Sequence, residues 1–191
     1  IVRVHQIVRD LMIEHNIANK EQIGGFGFII EIDECHLYTR KNGVGRIAQG
    51  QKCWAVGGIC RETKEMFVVL TEERDQHTLR GIIADNVGPD STIYTDCWAG
   101  YRGLEFMGLG FEHRTVNHAH NFVNPLDRDV HTNTIERYWR CLRESIPKTI
   151  TNDWVESYID KFLFYHHAGC KTTWDKFQAI VNLCQIHDPR N

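Results

Sequence analysis

The chain has 191 residues, 42% of them hydrophobic and 25% charged, with a formal net charge of −3. That length suits one domain with small appendages, and the charge argues against a free-standing basic nucleic-acid binder while leaving room for an acidic catalytic core. No apolar run approaches the roughly 20 residues of a membrane span, so no membrane partner is expected.

In chain order, Val4, Ile7, Val8, Leu11 and Met12 recur at helical spacing, which predicts a lead-in helix over 1–17. The chain begins on Ile rather than Met, and 1–23 is read as the end of a longer protein's preceding segment. Gly24, Gly25 and Gly27 then break the helix. A strand is expected over 26–38, with Phe28, Ile30 and Ile32 on one face and Ile29, Glu31 and Asp33 on the other. A carboxylate in such a run is costly to bury unless it is paired, protonated or bound to metal. Strands over 52–60 and 65–70 follow across short links, which favours an antiparallel meander.

A helix is predicted over 76–86 with Asp75 as N-cap. A strand over 92–96 ends on Asp96, a second helix spans 98–107, and a short strand covers 111–116. Residues 117–130 are polar and irregular. A helix then starts at Thr132 or Asn133, with Ile135, Tyr138, Trp139, Leu142 and Ile146 as an apolar stripe, and Pro147 ends it. Helices over 152–167 and 172–186 complete the chain. The expected domain lies at 24–150, with the C-terminal helices at 151–191 packed on it.

The helix between the third and fourth strands allows a right-handed crossover, so strands one and four can be parallel neighbours. Asp33 and Asp96 would then lie side by side although 62 residues separate them. This is the ribonuclease-H-like arrangement: an α/β fold with a mixed five-stranded sheet flanked by helices, here with extra C-terminal helices. Asp33, Asp96 and Glu136 are the three acids this order brings into question. Two divalent ions held by such carboxylates suit phosphoryl displacement, with Asp33 bridging and Asp96 and Glu136 each on one ion. Two local readings stay open. Asp96 has the place of a helix N-cap, and Asn133-x-x-Glu136 has capping-box spacing.

Arg40, Lys41 and Arg46 form one basic cluster, and Arg140 and Arg143 follow Glu136 at i+4 and i+7. Both suit contacts to a DNA backbone, or simply a solvated face. Of the histidines, His118 and His131 are the candidates to assist near a site; no fixed spacing supports a zinc site. The seven cysteines are scattered without a C-x-x-C pair, which points to a reducing compartment inside the cell.

Several motifs occur in a fixed order. They are Gly24-Gly25-Phe26-Gly27 before Glu31-Ile32-Asp33-Glu34, then Trp54-x-x-Gly57-Gly58 and Thr78-Leu79. Tyr94-Thr95-Asp96-x-Trp98-x-Gly100-Tyr101, Val116-Asn117-His118 and His131-Thr132-Asn133-x-Ile135-Glu136-x-x-Trp139 follow. Together they resemble the catalytic domain of Merlin-type DNA transposases, relatives of a group of bacterial insertion-sequence transposases, over about 24–165. The resemblance implies a catalytic, metal-binding triad of Asp33, Asp96 and Glu136 using two Mg²⁺ or Mn²⁺ ions. It also implies cut-and-paste chemistry at terminal inverted repeats and target DNA, an N-terminal DNA-binding segment, and a homodimer or larger assembly. The location expected is the nucleus of a eukaryote or the cytoplasm and nucleoid of a bacterium. The 39 residues between Asp96 and Glu136 exceed the spacing the resemblance implies. Some bacterial relatives use Asn or His at the third position, which keeps Asn133 and His131 in view as auxiliaries. The competing functions are a domesticated, non-catalytic DNA-binding protein and another nuclease of the same fold, such as a junction resolvase.

Overall fold

Strand β2 (Ile29–His36) is the centre of a five-stranded sheet. The computed structural model describes residues 2–37, 54–116, 130–147 and 154–187. Around β2 stand β3 (Trp54–Cys60), β4 (Met66–Thr71), β6 (Thr92–Asp96) and β7 (Glu112–Val116), in the order β4-β3-β2-β6-β7; β1 (Ile23–Gly24) and β5 (Val87–Gly88) form a separate parallel pair. The β2–β3 and β3–β4 pairs are antiparallel, and β2–β6 and β6–β7 are parallel. Numbered by the sheet's own strands this is 3-2-1-4-5, a meander followed by two parallel additions, which is the ribonuclease-H-like fold.

Both faces of β2 are covered. Ile30 and Ile32 lie in a core with Val56, Ile93, Tyr101 and Leu104, and with Leu79 and Ile83 of α2 (Gln76–Asn86). The opposite face carries Ile29, Glu31, Asp33 and Cys35. There Ile29 packs with Tyr94, Val116 and Val130. Helix α3 (Asn133–Ser145) buries Ile135, Trp139 and Leu142. Asp75 caps α2 as expected, its carboxylate accepting from the amides of His77 at 2.8 Å and Thr78 at 3.2 Å.

The helix predicted over 98–107 does not form. Two single 3-10 turns, Ala99–Tyr101 and Leu104–Phe106, stand in its place. Arg102 is extended and Gly103 takes a left-handed φ of 72°. The carbonyls there are taken from outside: Gln76 Nε2 and Arg80 Nη2 each donate to the Arg102 oxygen at 2.7 Å, and Arg80 also to Gly103. Side chains of α2 thus replace the bonds that a continuing helix would have made within itself.

The chain divides into two compact units, residues 22–143 and residues 1–21 with 144–191. In the second, α1 (Val2–Ala18), α4 (Val155–His167) and α5 (Thr173–Ile186) enclose Met12, Phe164 and Leu183. Asn16 Nδ2 donates to the Asp160 carbonyl at 2.8 Å, and the Arg9 guanidinium lies over the Trp154 and Tyr158 rings. Thr172 and Asp175 close a capping box at the start of α5, and Gly169 stops α4 with a left-handed φ of 66°. The lead-in helix and the C-terminal helices therefore belong to one unit. No described helix is long and apolar enough to cross a membrane.

Candidate active site

Parallel pairing aligns Ile29 with Thr92, Ile30 with Ile93 and Glu31 with Tyr94. Two residues further along each strand stand Asp33 and Asp96, on neighbouring strands at the same end. The Trp139 indole N–H donates to Asp33 Oδ2 at 3.0 Å. Burial pushes the Asp33 carboxyl from its ordinary 3.8 up to about 7, and the charges of Glu34 and Asp96 push the same way. The indole bond and a bond from the Glu34 amide oppose this without reversing it. Asp96 Oδ1 accepts from the Trp98 amide at 2.9 Å. That bond closes a local turn, so the N-cap reading of Asp96 survives only in this reduced form, with no α-helix behind it. Opposite Asp33 on β3 sits Gly57, where a Cβ would stand 2.5 Å from Trp139 Cη2. The glycine makes the room in which the ring reaches Asp33.

The other face of β2 carries an acid that reading the sequence for function passed over. Glu34 accepts from the Tyr101 hydroxyl in a short hydrogen bond and from Arg74 Nη1 at 3.1 Å. Arg74 lies between the rings of Trp54 and Trp98, 4.2 Å from each centroid, a stacked cation of the kind arginine favours. Burial raises the Glu34 carboxyl, and Asp96 adds to the rise, while Tyr101 and Arg74 lower it. The same surroundings push the Tyr101 hydroxyl well up. Trp54, Trp98 and Tyr101 were visible as motif residues. Their common purpose was not, because it passes through Arg74, which no motif contains.

Helix α3 lies along β2 as a ladder. Glu31 accepts from the amides of Thr134 at 2.8 Å and Ile135 at 3.1 Å, Asp33 from Trp139, and Cys35 shares a hydrogen bond with Arg143. Strand positions two apart advance about 6.6 Å and helix positions four apart about 6 Å, so alternate strand residues meet successive helix turns. Burial lifts the Cys35 thiol to about 11, which makes it a packing thiol rather than a nucleophile. Glu31 is fully buried and also pairs with Arg61 Nε at 2.6 Å. Asn133 is the first residue of α3 rather than its cap, and the Glu136 amide, which an Asn133 cap would have served, donates to the Thr132 carbonyl at 3.2 Å, while Glu31 holds the Thr134 and Ile135 amides. The capping-box reading of Glu136 is thereby corrected: the cap comes from the sheet, more than a hundred residues away.

Of the predicted site residues, Asp33 and Asp96 are brought together. Glu136 is exposed on α3, one turn before Trp139. Axially it sits between the two places where α3 is tied to Glu31 and to Asp33. Among the described residues no three His, Cys, Asp or Glu side chains form a group that could hold a metal ion, so Glu136 does not complete a triad with the two aspartates in this arrangement. His131 belongs to the Glu31 network: its carbonyl accepts from Arg61 Nη2 at 2.7 Å, and its Nδ1 lies 2.8 Å from the same nitrogen. Asn133 and Arg140 are exposed. Arg40, Lys41, Arg46 and His118 lie outside the described residues.

The donor chemistry at Asp33 and Asp96 fits a divalent cation. Two hard oxygen ligands stand together, and one is held with an unfavourable charge that a cation would relieve.

The integrase catalytic core domain of HTLV-2, solved in complex with magnesium in a trimeric form, is similar at 11% identity and a TM-score of 0.48, over 83% of this chain and 99% of that one. A chain of the simian T-cell lymphotropic virus intasome, in complex with the PP2A regulatory subunit B56 gamma, is similar at 14% identity and a TM-score of 0.46. It covers 90% of this chain and 58% of that one. No curated protein matches the sequence. The model of the ISXO2-like transposase domain matches residues 24–166. That span holds the whole described sheet, both aspartates and α3, and the chain belongs to the ISXO2-like transposase domain family.

Proposed function

We propose that this chain is the catalytic domain of a metal-dependent DNA transposase of the Merlin type, which hydrolyses phosphodiesters at transposon ends and transfers the freed strand into target DNA. The observation that carries the reading is the meeting of Asp33 and Asp96 at the ends of neighbouring strands, with Asp33 half-buried among acidic neighbours, in a chain of a transposase-domain family.

Asp33 would bridge two Mg²⁺ or Mn²⁺ ions, with Asp96 on one and Glu136 on the other. When bound, such a pair supplies nucleophile activation and charge neutralisation at the leaving oxygen. Trp139 fixes the rotation of the Asp33 carboxylate through its indole bond. Glu136, exposed and carried on a flexible side chain, turns inward from α3 to join the aspartates. Arg140 and Arg143, with Arg40, Lys41 and Arg46, position the DNA backbone, and His118, His131 and Asn133 assist nearby. The partners are terminal inverted repeats and target DNA, and holding two ends at once calls for a homodimer or larger assembly. The six described cysteines are free thiols, in keeping with a reducing intracellular location.

Asp33→Ala and Asp96→Ala should each abolish cleavage of end-bearing duplexes in Mg²⁺ or Mn²⁺, by about 10³-fold or more, with the fold retained by circular dichroism. Unchanged cleavage in both variants overturns the mechanism. Strand-transfer products separate a transposase from a resolvase-like nuclease, which hydrolyses without joining. Mn²⁺ titration separates both from a non-catalytic DNA-binding protein.

A further inference from the structure

We infer that Glu31 is a positioning residue for Glu136: a buried carboxylate in the sheet that sets the start of α3 and so the height at which Glu136 is presented to Asp33 and Asp96. The inference rests on the reading of Glu136 as the third metal ligand.

Each oxygen of Glu31 takes two donors. Oε1 accepts from Arg61 Nε at 2.6 Å and from the Thr134 hydroxyl at 2.8 Å, and Oε2 accepts from the Thr134 and Ile135 amides at 2.8 and 3.1 Å. A carboxylate has about four such lone-pair sites, so all are filled and none remains for a metal. Glu31 is therefore no ligand, although it stands two residues from Asp33 on the same face.

The donors fix α3 in two ways. The two amides belong to its first turn, which has no partners within the helix, and a negative charge there is favoured by the helix dipole. The Thr134 hydroxyl adds a side-chain bond that sets the rotation of that turn. Arg61 braces the carboxylate from behind. It donates to the His131 carbonyl at 2.7 Å, and its guanidinium lies 4.8 Å from the Tyr94 ring centroid. Residues 131, 134 and 135 are thus tied to one buried point, and Glu136 is the next residue. Further along, Trp139 and Arg143 are tied to Asp33 and Cys35. Loss of the Glu31 bonds frees one end of α3 and leaves the other two ties in place.

The test uses the whole chain and Mn²⁺ alone as probe, with uptake followed by loss of the free-ion resonance signal. Glu31→Gln keeps the shape but turns two acceptor sites into donors, facing either the amides or Arg61 and Thr134. It should weaken Mn²⁺ binding about 10- to 100-fold, the usual effect of losing an outer-shell support. Thr134→Val, which buries no unpaired charge, should cost about 2- to 10-fold, and Thr134→Ser should restore binding. Hydrogen exchange at the Thr134 and Ile135 amides should quicken in Glu31→Gln while the later turns of α3 keep their protection.

The discriminating variant is Glu31→Gln with Glu136→Gln. If Glu31 acts through Glu136, the pair binds Mn²⁺ no worse than Glu136→Gln alone. Multiplying losses, or unchanged exchange at the first turn, overturn the inference. A Glu136→Gln variant that binds Mn²⁺ like the wild type overturns the underlying reading of Glu136 instead.

Discussion

Glu31 and Asp33 lie two residues apart on the same face of β2, and both are turned toward α3, yet their surroundings are opposite. Glu31 has four donors, one of them an arginine. Asp33 has two donors, the Trp139 indole N–H and the Glu34 amide, and two acidic neighbours, Glu34 and Asp96. The same residue class in the same strand is satisfied in one place and left wanting a cation in the other. The difference teaches that burial alone does not mark a functional acid. What marks it is burial without enough donors, since a fully bonded buried carboxylate is a structural part and an under-compensated one is a site candidate.

The contrast can be broken most forcefully by truncation. Glu31→Ala takes the carboxylate partner from Arg61 and from two helix amides and should cost about 3–5 kcal/mol in urea denaturation, whereas Asp33→Asn, which removes a poorly compensated charge, should leave stability at or above that of the wild type. Equal losses in the two variants would erase the distinction.

A pH titration of chelated, metal-free protein sharpens it. The folded-state pKa of Asp33, about 7, lies above its ordinary 3.8. Between those values the folded protein holds a proton that the unfolded chain has released. The stability this provides is complete below about pH 4 and is lost as the pH rises to 7. Relative to Asp33→Asn, wild-type stability should fall across this window by up to about 4 kcal/mol. Parallel curves for the two proteins would place the Asp33 charge in a better-solvated setting than its burial indicates.

The smallest expected effect is at Gly57. Gly57→Ala puts a methyl against the Trp139 ring and should cost about 1–3 kcal/mol through overpacking, with a shift in tryptophan fluorescence. A silent substitution would mean the ring has other room, and that the Trp139 bond to Asp33 does not depend on the glycine.

Much of this was legible in the chain. The boundaries of β6 and α2, the Asp75 cap and the stripe of α3 follow from period-two and period-3.6 patterns and from capping chemistry, all of which act within a few residues. The adjacency of Asp33 and Asp96 followed from topology, because right-handed crossovers leave few choices. The stretch from Trp98 to Met107 was misread because its carbonyls are bonded by Gln76 and Arg80, residues of another helix, and nothing local records that. Glu34 was overlooked for a similar reason: its partners Arg74 and Tyr101 lie 40 and 67 residues away.

By itself, then, the sequence determined the order of strands and helices, the central strand, and two acids at one end of the sheet, because those depend on local periodicity and on chain connectivity. Only the tertiary structure decided which acid is which. Glu31 and Asp33 are indistinguishable by pattern, and their roles are assigned by Thr134 and Ile135 in one case and Trp139 in the other, 103 to 106 residues distant. The charge state of a buried carboxylate is set by the donors within reach, and those are chosen by packing.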